Sequence, residues 1–195
     1  MMSKSERMPW IPVDQMTAAQ RATAAMLGQV SGGTTSGPQS FLLRSPEMAL
    51  HLHKLIHYLL GSSPLPRRLA EFAILIQAKL WDQDYEWWAH HHLAIRYGID
   101  PSVPDDLRTG CRPAKMQPDE ALVYDFCMEL STTHRVSDAT FAAISAELSE
   151  QALADLTVIT GTYVTISMIL NVAEAVAPAD DPLPFSAGEA AHSAS

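Results

Sequence analysis

The long apolar segments of the chain repeat their hydrophobic positions at steps of three and four residues, and no run alternates convincingly at a period of two. The first spacing places apolar side chains on one face of an α-helix, whereas alternation would indicate a β-strand. The sequence therefore predicts an all-α fold with about seven or eight helices. A length of 195 residues is enough for one domain with a substantial core.

The predicted helices are bounded by Pro, Ser and Gly at positions where these residues start or end helices. They cover residues 17–27, 46–60, 67–80, 85–97, 101–109, 118–130, 138–148 and 149–175. The sequence also predicts a flexible loop over 30–37 and one helical domain over 1–178, of which 1–13 form an irregular N-terminal arm. Residues 179–195, rich in Pro, Ala and Ser, are predicted to be a mobile tail.

The last predicted helix is apolar over a length that approaches a membrane span. Four threonines, Ser167 and Asn171 interrupt it, which favours a buried core helix instead. Gly161 lies in its middle, where glycine costs about 1 kcal/mol relative to alanine. We therefore expect close packing against another helix at Gly161.

The helix predicted over 85–97 carries Glu86, His90, Leu93 and Tyr97 at steps of four, three and four, so they share one face. A carboxylate one turn before an imidazole can orient the ring and raise its pKa, as general acid–base chemistry requires. The alternative is an ordinary ion pair on a surface helix.

The two helices over 67–80 and 85–97 contain a further candidate carboxylate and the residues expected to cap the second helix. Glu71 lies among apolar neighbours on the preceding helix, either as a carboxylate that favours the helix N-terminus or as a functional group. Asp82 or Asp84 is expected to cap the second helix, and Gly98 to end it in a left-handed conformation.

His90, His91 and His92 do not form a metal site, because adjacent helical residues point about 100° apart. Only Glu86 and His90 have usable spacing, and two ligands are too few. We therefore predict no metal and no cofactor.

Aromatic and polar residues elsewhere are candidates for contact with a substrate. The aromatic residues, Trp87 among them, would hold its apolar part and exclude water, and Tyr97 shares the face of His90. His57 either lines the same pocket or is partly exposed. Tyr163 and Asn171 are eight residues apart and share a helix face, so they either enter the pocket or satisfy hydrogen bonds in the core.

The net charge and the cysteines limit the possible partners and the cellular location of the protein. A formal net charge of −9 argues against nucleic acid and anionic membranes as partners, since both favour a basic patch. Cys111 and Cys127 belong to no Cys-x-x-Cys, so they imply neither a disulfide framework nor a zinc site. The first residues, MMSKSERMPWIPVDQM, contain no apolar run typical of a secretory signal. A cytoplasmic location is expected.

The stretch from Glu71 to His90 resembles the carboxymuconolactone decarboxylase family, which includes the alkyl hydroperoxidase D (AhpD) branch. The peroxidase branch has a Glu, a Cys-x-x-Cys and a His at the spacing of Glu71, Gln83, Glu86 and His90. Gln83 and Glu86 thus stand at the cysteine positions. The run Tyr-Glu-Trp-Trp-Ala-His over 85–90 is similar to a Tyr-Glu-Trp-x-x-His branch. The resemblance extends over about residues 46–178.

The resemblance implies an AhpD-like helical fold and an obligate homo-oligomer, often a dimer, trimer or hexamer, with pockets near subunit contacts. Trp81, Trp87 and Trp88 add weak support, because they are more aromatic surface than one helix pair easily covers.

The function we expect is a cofactor-free lyase or isomerase that acts on a small carboxylate, lactone or enol-like substrate. His90 would move the proton, Glu86 would orient and charge it, and Glu71 would be a second carboxylate nearby. Two carboxylates would repel an anionic substrate, so isomerisation or dehydration of a neutral one is a serious variant. A non-catalytic binding or scaffold protein is the alternative. A thiol peroxidase is disfavoured, because its cysteine positions hold Gln83 and Glu86.

Overall fold

The structure is a computed structural model, and it describes residues 7–30, 37–177 and Phe185. Over these residues the chain is all-helical, which confirms the predicted fold class. After a 3₁₀ turn at Val13–Gln15 come the α-helices α1 (Ala18–Val30), α2 (Pro38–Leu42), α3 (Pro46–Gly61), α4 (Arg67–Leu80), α5 (Asp84–Arg96), α6 (Ser102–Arg108), α7 (Pro118–Thr133), α8 (Asp138–Glu147) and α9 (Glu150–Ala173).

Eight of the nine helices in the described part of the chain coincide with predicted ones to within a few residues. The exception is α2, which the sequence analysis missed. Five residues are too few to show a hydrophobic period, and α2 directly follows a segment rich in Gly, Ser and Thr. Residues 31–36 of the predicted loop lie outside the described residues.

Helix α4 is the centre of the fold. All residues from Leu69 to Ala78 are buried, because α5, α7 and α9 pack around it. Phe72, Leu75 and Ile76 are fully buried, and each such side chain stabilises the fold by about 1.5–3 kcal/mol. Any polar side chain on this stretch of α4 must therefore find its partner inside the protein.

Helix α9 packs its buried face on α4, as expected of a core helix. Its length and composition would also suffice for a membrane span, but half of its most apolar window is buried within the protein. Gly161 lies on the exposed face, and a Cβ there would meet nothing within 4 Å. The expected close packing at Gly161 therefore does not occur among the described residues.

The turn between α4 and α5 differs from the expectation. Gln83, and neither Asp82 nor Asp84, caps α5, because its side chain accepts a hydrogen bond of 2.8 Å from the backbone N–H of Tyr85. Asp82 instead has a positive φ of 43° and pairs with Lys79. At the other end Gly98 has a φ of 107°, in the left-handed region as predicted.

Both ends of the described chain are tied to this bundle. The Arg7 N–H donates to the Ala173 carbonyl over 2.8 Å, and its guanidinium pairs with Glu174, so part of the arm meets the end of α9. The predicted tail over 179–195 lies outside the described residues apart from Phe185. That ring packs on Trp87, with 5.3 Å between centroids.

Candidate active site

Helices α4 and α5 place a carboxylate against a histidine ring. The Nδ1 atom of His90 lies 2.7 Å from Oε2 of Glu71, whose side chain is completely buried. The other carboxylate oxygen, Oε1, accepts hydrogen bonds from Nε and Nη2 of Arg67, one turn earlier on α4, both at 2.7 Å. Glu71 is therefore a buried acceptor between two cationic groups, and both of its oxygens are occupied.

Glu86 lies on the other side of the same ring. Its Oε2 is 3.7 Å from Nε2 of His90, which is too long for a hydrogen bond. That oxygen is buried and has no hydrogen-bond partner among the described residues. The four-residue step brings Glu86 beside His90 as predicted, but the bond that orients the ring comes from Glu71. The predicted role of Glu86 as orienting partner is therefore wrong.

Burial and pairing have opposing effects on the pKa of Glu71 and on the pKa of His90. Burial opposes ionisation of Glu71, yet the hydrogen bond and charge of His90, with the charge of Arg67, hold the pKa of Glu71 below its ordinary value. Burial likewise disfavours a charged His90, but the hydrogen bond to Glu71 and the charges of Glu86 and Glu71 raise the pKa of His90 above 6.5. The pair therefore favours an imidazolium beside a carboxylate.

Glu86 has the opposite tendency. Burial raises its pKa to about 7, with a contribution from the charge of Glu71, although His90 partly offsets it. Near neutral pH this group therefore exists both as a carboxylic acid and as a carboxylate. Tyr163 stands edge-on to the His90 ring at 5.1 Å, and burial followed by the two carboxylates raises the pKa of Tyr163 well above 10. Tyr163 thus stays a neutral phenol.

The row Glu71, His90, Glu86 ends at a cavity of about 270 Å³. Helices α1, α2, α3, α5 and α9 all contribute to it. Its wall consists mostly of apolar and aromatic side chains with a few polar groups: Leu27, Pro38, Gln39, Leu42, His53, Ile56, Tyr85, Glu86, Trp88, Ala89, His90, Tyr163 and Ile166. Its volume is slightly below the range of about 300–1,000 Å³ typical of ligand pockets, so it suits a small molecule.

Solved structures with a similar arrangement of helices are known. No family profile and no curated protein matches the chain. One similar crystal structure is described as an alkylhydroperoxidase AhpD core, an uncharacterized peroxidase-related protein from Ralstonia eutropha JMP134. Its TM-score is 0.75 at 16% identity, over 91% of this chain and 95% of that one. Another is an uncharacterized peroxidase-related protein from Silicibacter sp. TM1040, with a TM-score of 0.72 at 14% identity, over 92% and 97% of the two chains.

The chain has an AhpD-like fold. At these identities the likeness concerns the helices and their arrangement, so the chemistry has to be argued from this chain's own residues.

Within the AhpD-like fold, two of the aromatic residues predicted to contact a substrate lie away from the cavity. Trp87 is buried in the core, where its ring stacks on His91, while its neighbour Trp88 lines the cavity. Tyr97 is 45% exposed and lies under the Arg67 guanidinium. The helix phase explains both: α5 turns Trp88 toward α3 and α9, and Tyr97 follows the last residue of α5.

The burial of the tryptophans also removes the support that they gave to the prediction of a homo-oligomer. Trp87 is covered within the chain, and Trp81 and Trp88 are half-buried. They leave little aromatic surface that needs a partner.

Among the predicted polar residues, Tyr163 does line the cavity, but His57 and Asn171 do not. His57 is exposed, and His53, one turn earlier on α3, reaches the cavity instead. Asn171 accepts a hydrogen bond of 2.7 Å from the Gln83 amide and donates to the Trp81 carbonyl. It thus supports the turn before α5 and does not face the cavity.

Metal and thiol chemistry would need groups that this site does not bring together. Among the described residues, no group of three or more His, Cys, Asp and Glu is placed to hold a metal ion. Cys127 is buried in the core beside Thr160, and burial raises the pKa of its thiol to about 12. Cys111 is exposed, and neither cysteine lines the cavity.

Proposed function

We propose that this protein is a lyase or isomerase, independent of cofactors, that transfers protons on a small lactone, enol-like or carboxylate substrate. The observation that carries the proposal is the row Glu71, His90, Glu86, buried between α4 and α5, with the unpartnered Oε2 of Glu86 at the cavity. A buried polar atom without a partner costs about 1–3 kcal/mol. A substrate group bound in the cavity would remove that cost.

Glu71 and His90 have distinct roles in this proposal. Glu71 fixes the ring of His90 through Nδ1 and stabilises its charged form, as a carboxylate does for a catalytic imidazole. His90 then presents Nε2 toward Glu86 and the cavity. A positioned acid–base group of this kind accelerates a reaction by about 10²–10⁴-fold.

A binding or scaffold protein without catalysis is the alternative function. The cavity wall is mostly apolar and would suit such a ligand equally well. In that case ligands would contact the apolar wall and leave His90 untouched. A bound complex with a ligand atom within hydrogen-bond distance of His90 or Glu86 argues for catalysis.

A thiol peroxidase is the reading suggested by the names of the two similar structures. In this chain Gln83 caps α5 at one of the two cysteine positions of that branch, and Glu86 occupies the other. The buried Cys127 lacks the thiolate character that peroxide chemistry needs. We expect no turnover of cumene hydroperoxide with a dithiol reductant, and clear turnover would replace our proposal with this one.

The proposal is tested by a screen of enol lactones, unsaturated acids and conjugated ketones with the purified full chain. Ultraviolet absorbance follows isomerisation, and released carbon dioxide separates decarboxylation from it. We expect one of these classes to react, with the same rate before and after treatment with a chelator. If activity is lost with a stoichiometric metal, the proposal of cofactor independence is wrong.

Two further parts of the proposal concern the setting of the protein. We propose a homo-oligomer that works in the cytoplasm without nucleic acid or membrane partners. The net charge of −9 supports the last point. Exposed apolar side chains on α9, such as Val158, Met168 and Val172, support the first.

A further inference from the structure

His53, like Glu86, lines the cavity and has a buried polar atom without a hydrogen-bond partner among the described residues. It lies on α3 and lines the same cavity as Glu86 and His90 of α5, and its Nε2 is buried with no hydrogen-bond partner among the described residues. Only two other side-chain atoms of the described chain share this condition, Oε2 of Glu86 and Oγ of Ser167. Two of these three atoms therefore belong to residues that line one cavity, which indicates a ligand with polar groups for both.

The surroundings of His53 and Glu86 favour the neutral form of each. Burial, followed by the charge of His57, lowers the pKa of His53, so its imidazole is neutral at pH 7. Burial raises the pKa of Glu86 to about 7, so a large share of it is a carboxylic acid. A neutral base and a protonated acid at one site are the two groups that proton transfer at a carbonyl compound requires.

The cavity offers no free cation to an anionic substrate. No Arg or Lys of the described chain lines it. The guanidinium of Arg67, which contacts Glu71 of the site, is held by Glu71 and by the Leu60 carbonyl. Glu71 faces both this guanidinium and His90, and the second carboxylate beside an imidazolium at His90 is that of Glu86. A substrate carboxylate would therefore be buried beside Glu86 with no Arg or Lys at the cavity to pair with it, which is costly.

We propose that His53 is a second proton-transfer residue of this cavity and that the substrate is an uncharged ketone or lactone with an acidic C–H beside its carbonyl. This inference rests on the proposed function and adds the substrate class and the base. His53 takes the proton as the C–H bond breaks, and Glu86 gives its proton to the carbonyl oxygen. The products of this step are an enol, an imidazolium and a carboxylate.

The step reverses without any other reactant. The imidazolium of His53 returns its proton to the same carbon, or to the far carbon of a conjugated enol, while Glu86 recovers the proton of the enol O–H. The net change is either none or the shift of one hydrogen, with no oxidation. In heavy water the same cycle replaces hydrogen by deuterium at that carbon.

The test uses acetophenone, an uncharged ketone, and benzoate, an anion with the same number of non-hydrogen atoms. Proton NMR in heavy water follows the acetophenone methyl signal with the full chain. We expect the protein to accelerate its loss over buffer and His53→Gln to reduce that acceleration by about 10²-fold or more. His51→Gln, on the same helix and exposed, is the matched control and should keep the wild-type rate.

Two binding measurements on the unaltered protein accompany the exchange. Saturation-transfer spectra should detect acetophenone and not benzoate. In protein labelled at its histidines, acetophenone should shift the His53 signal and leave that of His51 in place. These spectra test the substrate class and the contact with His53 even if His53→Gln folds poorly.

The outcomes separate this inference from the proposed function. If exchange persists in His53→Gln but is lost in His90→Gln, His53 has no role and the proposed function stands. If the wild-type protein catalyses no exchange, or binds benzoate in preference to acetophenone, the substrate class is wrong. The proposed function is then still judged by the substrate screen.

Discussion

Glu71 and His90 are nineteen residues apart in the sequence, and their Oε2 and Nδ1 atoms are 2.7 Å apart in the fold. This contact links the central helix α4 to α5 and fixes which ring nitrogen faces the cavity. Because Nδ1 is occupied by Glu71, Nε2 is directed toward Glu86. The proposed chemistry depends on this arrangement.

Replacing Glu71 by Gln tests that relationship directly. The variant keeps an acceptor of the same size but removes the charge, while His90 stays buried. We therefore expect the pKa of His90 to fall, measured by NMR titration of the histidine signals. Asp119→Asn is the control, since that carboxylate pairs with Arg68 at a different place in the fold. An unchanged His90 titration would show that the contact does not set its charge.

Replacing Glu86 by Gln should change how stability depends on pH. The folded-state pKa of about 7 lies above the ordinary 4.5, so the folded chain binds more protons than the unfolded one between these values. Glu86 therefore lowers stability as pH rises through this window, by up to about 3 kcal/mol. Glu86→Gln removes this loss.

Urea denaturation at pH 5 and pH 8 measures the effect of Glu86. The variant should gain stability relative to wild type at pH 8, and gain clearly less at pH 5. Glu47→Gln, which replaces an exposed carboxylate on α3, is the control. Equal gains at both pH values would mean that Glu86 ionises normally in the folded protein.

The helices were predictable because hydrophobic periodicity is local information. The position of His53 was not predicted, although the sequence contained a signal for it. His53 is four residues after Ala49 and three before Ile56, which places it on the inner face of α3. Leu55, an apolar residue on the same helix, is 37% exposed, so apolar character alone does not identify the inner face of α3.

The pairing within the site required information that spacing does not contain. The four-residue step from Glu86 to His90 identified neighbours, and it gave no means of seeing that Glu71 from α4 would take the hydrogen bond. Contacts between helices depend on which faces pack together. The resemblance to a family motif did bring Glu71 and His90 into one candidate site, before any contact between them was known.

Gly37 provides a test of the cavity wall. Its φ is +71°, and a Cβ there would lie 2.4 Å from the ring of Tyr85, which lines the cavity. Gly37→Ala should destabilise the protein by about 1–3 kcal/mol, through backbone strain and displacement of that ring. Thermal unfolding measures it. Gly61→Ala is the matched control, because the space around Gly61 is open, and it should be neutral or slightly stabilising.

Assembly is tested on the exposed face of α9. This face presents Val158, Gly161 and Met168, and its exposed side chains between residues 154 and 172 are uncharged, whereas the whole chain carries a net charge of −9. A second copy would meet least repulsion there. Light scattering should give a mass well above 21.3 kDa. Met168→Glu should lower that mass, and Phe141→Glu, an equally exposed apolar position on α8, should not. A wild-type mass near 21 kDa at micromolar concentration would contradict assembly.

The most direct test of the acid–base site compares turnover of His90→Gln and His92→Gln on the substrate found by the screen. His90 is hydrogen-bonded inside the site, and His92 is exposed on the same helix. We predict that His90→Gln loses about 10²–10⁴-fold in the chemical step, and that His92→Gln keeps the wild-type rate. Near wild-type turnover by a correctly folded His90→Gln would contradict the account.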